Sequence, residues 1–174
     1  MSIPQKPNPA KLVIGLFLKQ KDLLDELADD LCSRFGAIDI ISAWLPFDYT
    51  TYYTEELGAP LFRRMFSFEK LIQQDALANI KLSTNQLEHK YSRNGKRSVN
   101  IDPGYLLLER FVLASGKNFS HRIYLAQGVY ADLTLMYSKG RFQTLPWTYP
   151  DYADRSMLTV LERIRRKYVL EVRP

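Results

Sequence analysis

The sequence predicts an α+β fold: a ferredoxin-like strand–helix–strand core with an antiparallel β-hairpin extension and a C-terminal helix. Three observations lead there. Apolar runs alternate with helical apolar spacing twice, over residues 12–44 and 62–102. From residue 106 the pattern changes to short strand-like pieces separated by turn residues. Residues 154–168 then return to helical spacing.

Each element has its own reason. Residues 1–10 read as a flexible Pro-rich tail without an apolar signal core, ahead of a single domain over 11–174. Residues 12–18 are continuously apolar, which marks a buried strand. A helix is expected over 21–35, where Leu23, Leu24, Leu27, Leu31 and Phe35 recur at helical spacing. Gly36 ends it, glycine being favoured just past a helix C-terminus. Residues 37–44 read as a strand. Pro and Gly bracket the Tyr-rich stretch 45–60, which reads as a functional loop with a short helical turn.

A strand over 62–68 and a helix over 74–92 follow, with Leu77, Ile80, Thr84, Leu87 and Tyr91 on one helical face. Asn94-Gly95 signals a tight turn. Residues 98–102 read as a strand closed by a Pro103-Gly104 turn. Further strands are expected over 106–114 and 121–125, with a hairpin of 129–137 and 141–145. An aromatic loop at 147–152 precedes the last helix, 154–168, with Met157, Leu161, Ile164 and Tyr168 inward. The expected core includes Val13, Leu16, Leu27, Leu31, Ile40, Leu87, Leu135 and Ile164.

Composition narrows the function classes. Cys32 is the only cysteine, so an intramolecular disulfide and a CxxC metal pair are excluded. No apolar run approaches the length of a membrane span. These features point to the cytoplasm and away from a membrane. The net charge is +5, but residues 1–60 carry −4 and residues 61–174 carry +9. A basic second part favours an anionic partner: nucleotide, phosphate ester or RNA.

His121 and Asp102 are the candidate catalytic pair, an imidazole that can move protons near neutral pH and a carboxylate to orient it. Asn100 and Asp102 alternate onto one strand face. Arg122 supplies an anion partner. Arg97, three residues from Asn100, is expected on the opposite face, balancing surface charge. Lys81, Thr84, Asn85 and Glu88 form a polar stripe at helical spacing, with Lys81 and Asn85 as ligand contacts. Tyr49, Tyr53 and Glu56 on one loop, and Trp147 and Asp151 on another, would cover the cleft. Asp48, Glu55 and Glu56 could join an oxygen-rich metal site, but the spacing carries no metal signature and no metal is assigned. The sequence names no cofactor.

An ordered set of motifs carries a family resemblance. It comprises Phe47-Asp48-Tyr49-Thr50 with Tyr52-Tyr53 and Glu56-x-Gly58, Ile80-Lys81-Leu82-x-Thr84-Asn85-x-x-Glu88, and Asn100-Ile101-Asp102-Pro103-Gly104-Tyr105. His121-Arg122-Ile123-Tyr124-Leu125 and Trp147-Thr148-Tyr149-Pro150-Asp151-Tyr152 complete it. Over nearly its whole length the chain resembles the prokaryotic family known as domain of unknown function 4416. Leu57 stands where the family pattern has Met. The resemblance implies a single-domain protein and no established activity. A GTP-binding label carried by some relatives finds no support: neither Gly95-Lys96-Arg97 nor Gly116-Lys117-Asn118 has the Ser or Thr of a P-loop.

The resulting expectation is a small anionic ligand, phosphorylated compounds included, bound in a polar, aromatic-lined pocket. Whether the pocket is enzymatic is open. The alternative is a non-catalytic RNA- or protein-interaction module built on the basic C-terminal part, including Arg163, Arg165, Arg166 and Lys167.

Overall fold

A computed structural model of the chain describes residues 1–49 and 53–173. Thr50, Thr51 and Tyr52 of the expected functional loop, and the side chain of Glu55, lie outside what it describes. The fold mixes helix with an antiparallel sheet and ends on a long helix, as an α+β chain should.

The first strand, β1 (Ala10–Leu18), is buried at every position. Its continuous apolar sequence reflects a central place in the sheet with helices on both faces. Helix α1 (Leu24–Phe35) follows a single 3-10 turn and buries Leu27 and Leu31. Gly36 closes it at φ 93°, a backbone region that glycine enters at no steric cost. Strands β2 (Ile38–Ile41) and β3 (Leu45–Phe47), the short helix α2 (Thr54–Leu57) and the long strand β4 (Leu61–Ile72) come next.

Helix α3 (Leu77–Lys90) buries Leu77, Ile80, Thr84 and Leu87, the face read from its spacing. A small hairpin, β5 (Ser92–Arg93) and β6 (Lys96–Arg97), turns through Asn94 and Gly95 at φ 52° and 75°. Strands β7 (Val99–Leu106), β8 (Arg110–Ser115), β9 (Arg122–Ala126), β10 (Val129–Ser138) and β11 (Arg141–Thr144) complete the sheet. Helices α4 (Pro150–Ala153) and α5 (Arg155–Val172) end the chain.

The strands run in the order β11-β10-β8-β7-β1-β4-β2, with β3 beside β4 and β9 beside β10, all pairs antiparallel. One face packs Leu12, Ile14, Leu16 and Leu18 against α1 and α3. The other packs Val13, Met65, Phe111 and Leu135 beneath Met157, Leu161 and Ile164 of α5. All eight residues expected in the core are buried.

One turn read from the sequence is corrected. Pro103-Gly104 is not a turn: both residues lie inside β7, opposite Ile14 and Val13 of β1. The chain reverses later, where the Leu107 N–H donates to the Arg110 carbonyl. Gly104 is required for closeness, since a Cβ there would lie 2.5 Å from the Val112 carbonyl oxygen. Pro103 is tolerated because the β7–β8 ladder begins only at Gly104, so its missing N–H breaks no pair on that side.

That late start positions the site. Along β7 only residues 104–106 pair with β8. Further back, the Ile101 N–H donates to Glu88 Oε1 at 2.6 Å, and Lys81 Nζ donates to the Ile101 carbonyl at 2.9 Å. Two side chains of α3 thus stand in for a neighbouring strand. The two strands part, and a cleft opens between them.

Candidate functional site

The cleft has a volume of about 780 Å³. Its base is the C-terminal part of β1 and the strands beside it. Asn100, Phe17 and Arg63 lie in one row across β7, β1 and β4, and Asp102, Gly15 and Met65 in the next. Gly15 leaves room for Tyr152: a Cβ there would stand 3.1 Å from the phenol oxygen and 3.5 Å from Arg63 Nη2. Helix α4, opened by Pro150 at its first turn, delivers Asp151 and Tyr152 from above.

Aromatic rings form one wall. Phe17 and Phe47 stack with centroids 4.4 Å apart, and Tyr53 meets Phe17 edge-on at 4.6 Å. Tyr49 meets the edge of Phe47 at 6.2 Å. The Arg63 guanidinium lies among them, 5.3 Å from the Phe47 centroid and 4.5 Å from that of Tyr152. It is 2% exposed and ion-pairs with Asp151. Its Nε has no hydrogen-bond partner among the described residues, and neither has the Tyr152 hydroxyl. Burial raises the Tyr152 pKa, with Asp102 and Asp132 adding to the effect and Arg63 opposing it, so the phenol stays a neutral donor.

The opposite wall is a polar network. Arg97 donates through Nε and Nη2 to the two oxygens of Glu56, each at 2.7 Å. Its Nη1 reaches Glu88 Oε2 at 2.9 Å and Asn100 Oδ1 at 3.0 Å. Asn100 then donates to Asp102 at 2.8 Å, and Lys81 Nζ stands 3.8 Å from the other Asp102 oxygen. The bidentate bond from Arg97 holds the Glu56 carboxyl below its usual range, against the effect of burial. The same bond raises the Arg97 pKa, burial again opposing and Glu88 reinforcing.

A second cluster adjoins the cleft through Asp132, which lines it. Asp132 accepts from Arg122 Nε at 2.8 Å and lies 3.2 Å from His121 Nε2. The His121 ring stacks on Trp147 at 4.9 Å, and Trp147 is fixed by its bond to the Leu133 carbonyl. Arg122 Nη2 also donates to the Tyr149 hydroxyl at 2.5 Å.

Of the residues expected from sequence, Lys81, Asn85, Asn100, Asp102, Tyr49, Tyr53 and Asp151 line one cleft. Glu56 holds its wall through Arg97. The expected His121–Asp102 pair is replaced: Asp102 bonds to Asn100 and Lys81, while His121 and Arg122 share Asp132 with Trp147 alongside. The placement of Arg97 is also corrected. Ser98 separates it from β7, so strand alternation does not carry across, and Arg97 shares a bond with Asn100. Sequence reasoning missed Arg63, Tyr152 and Asp132 as site residues, and read Glu88 only as part of the polar stripe with Lys81 and Asn85. A signal for Arg63 existed, as a cation on the inward parity of an apolar strand beside Leu61 and Met65. Among the described residues no group of three or more His, Cys, Asp and Glu could hold a metal. In the basic terminal helix, Arg165 donates to the Leu108 carbonyl and covers the Tyr137 ring, and Lys167 pairs with Asp39 and Glu171.

The chain matches the family described as domain of unknown function (DUF4416) over residues 8–168, and it belongs to that family. It has no significant match among curated proteins or solved structures. No helix among the described residues is long and apolar enough to cross a membrane.

Proposed function

We propose that the protein binds a small anionic ligand in the cleft between β7 and β8. One observation carries the reading: Arg63 and Tyr152 line the cleft, and Arg63 Nε and the Tyr152 hydroxyl are buried donors with no hydrogen-bond partner among the described residues. A buried unpaired donor costs about 1–3 kcal/mol. Oxygen-rich anionic groups, carboxyl and phosphoryl alike, supply the acceptors that would recover this cost. The aromatic wall would hold the apolar body of the same ligand.

The reading includes the wider architecture. The order β7-β1-β4-β2, with α1 and α3 over one face, supports a ferredoxin-like centre within a single domain over 11–174. The single cysteine supports a cytoplasmic setting. A non-catalytic RNA- or protein-interaction role draws less support, because Arg165 and Lys167 are already engaged within the fold.

Native mass spectrometry of the protein purified from its own host tests the proposal. The expected result is a retained small molecule whose composition includes a carboxyl or phosphoryl group. Its occupancy should fall in Tyr152→Phe and Arg63→Met. An adduct that persists in both variants would place the ligand elsewhere and overturn the proposal.

A further inference from the structure

The cleft is polarised but not charged. Four Lys or Arg side chains and four carboxylates line it. Arg63 answers Asp151, Arg97 answers Glu88 and Lys81 faces Asp102. An ordinary anion-binding site carries excess positive charge. A multiply charged anion such as phosphate would here meet cations already paired, with the Asp102 carboxylate beside it. A ligand with both signs of charge meets no such penalty.

The arrangement of donors and acceptors is equally specific. Tyr152 Oη stands over Gly15, with Arg63 Nη2 beside the same point. Asp102 is the cross-strand partner of Gly15, and directly paired residues project from the same face. Arg63 on β4 and Asp102 on β7 therefore flank Gly15 of β1, with the Tyr152 hydroxyl of α4 above it. Asp102 keeps acceptor capacity, since among the described residues it accepts one bond from Asn100 and is approached by Lys81 at 3.8 Å.

We propose that the ligand is zwitterionic, an α-amino-acid-like head group whose carboxylate meets Arg63 Nε and the Tyr152 hydroxyl while its ammonium meets Asp102. The aromatic wall of Phe17, Phe47 and Tyr53 then faces the side chain of the ligand. This inference rests on the anionic-group reading above and adds the opposite charge to it. The volume of the cleft exceeds what one amino acid fills, so a short peptide or an extended amino acid is within its reach.

Calorimetry on the full chain decides it. The probes are the twenty L-amino acids singly, the N-acetyl and amide forms of any that bind, and succinate and inorganic phosphate. We expect saturable binding of at least one amino acid, weakened at least tenfold by either N-acetylation or amidation. Tyr152→Phe, which keeps the ring, and Asp102→Asn should each weaken it at least tenfold. If the N-acetyl form, succinate or phosphate binds as tightly as any amino acid, and does so through Tyr152, the zwitterion inference fails while the anionic-group reading stands. If no probe binds, amino acids and anions alike, both fail.

Discussion

Lys11 and Arg63 are buried cations on adjacent strands, and they are satisfied very differently. Lys11 donates to Asp39 at 2.5 Å and to the two oxygens of Glu171 at 2.8 and 2.9 Å, which uses all three of its protons. Asp39 in turn accepts from Ser67. This cluster joins β1 and β2 to the end of α5 and has nothing left to offer a ligand. Arg63 has five N–H donors and ion-pairs with Asp151, and among the described residues its Nε has no hydrogen-bond partner. Saturation suits a group that holds the fold; the unpaired donor of Arg63 is what the proposed ligand would meet.

The sharpest way to break this comparison is to remove the saturated cation. Lys11→Met takes the buried ammonium partner from Asp39, whose side chain is 2% exposed, and leaves it Ser67 and the half-exposed Lys167 at 3.4 Å. The expected loss is about 3–5 kcal/mol, the usual cost of uncovering a buried partner. Urea denaturation measures it, and an unchanged midpoint would show that the cluster is not what ties α5 to the sheet.

Glu88→Ala comes next. It uncovers the Ile101 N–H and one Arg97 donor together, and should cost about 1–3 kcal/mol. It also removes one of the two side chains that keep β7 apart from β8. Amide hydrogen exchange should accelerate at Ile101, and a rate equal to wild type would refute that role.

Tyr152→Phe should do the reverse of Lys11→Met. It deletes a hydroxyl with no hydrogen-bond partner among the described residues, so stability should change by less than about 1 kcal/mol, or rise. Ligand retention should be lost. A large destabilisation would mean the hydroxyl already has a structural role.

The smallest effect is in pH. Burial pushes the Asp39 carboxyl up, but its bonds to Lys11 and Ser67 prevail and hold it below the ordinary range. A depressed carboxyl contributes stability above its unfolded pKa of about 3.9 and loses it as pH falls through the lower folded value. Wild type should therefore lose stability below about pH 4. Lys11→Met should show a weaker slope there, and equal slopes in a pH series of denaturation curves would remove Asp39 from the account.

What the sequence reveals divides along the same line. Elements set by repeated apolar contacts are legible: the run in β1, the spacing of Leu27 and Leu31, and the inward face of α5. Local signals mislead where a long-range contact decides. Pro103-Gly104 has turn chemistry, yet the approach of the Val112 carbonyl makes Gly104 a strand residue. Asn100, Asp102, Lys81 and Asn85 are polar at readable positions, and they do converge. The His121–Asp102 pairing fails because β10, not β7, is the neighbour of β9, and its Asp132 reaches His121 and Arg122. Arg63 and Tyr152 are hard to find because burial with a missing partner is a property of three-dimensional packing alone.

The central claim is that Arg63 Nε waits for an acceptor, and the arginine side-chain ¹H–¹⁵N spectrum reads that proton directly. Spectra would be compared between the protein carrying its retained compound and the protein freed of it by unfolding and refolding. The account predicts that the Arg63 Hε resonance moves downfield when the compound is bound. The Arg97 Hε, already held by Glu56 at 2.7 Å, should stay in place. An Arg63 Hε that is the same in both spectra would contradict the account.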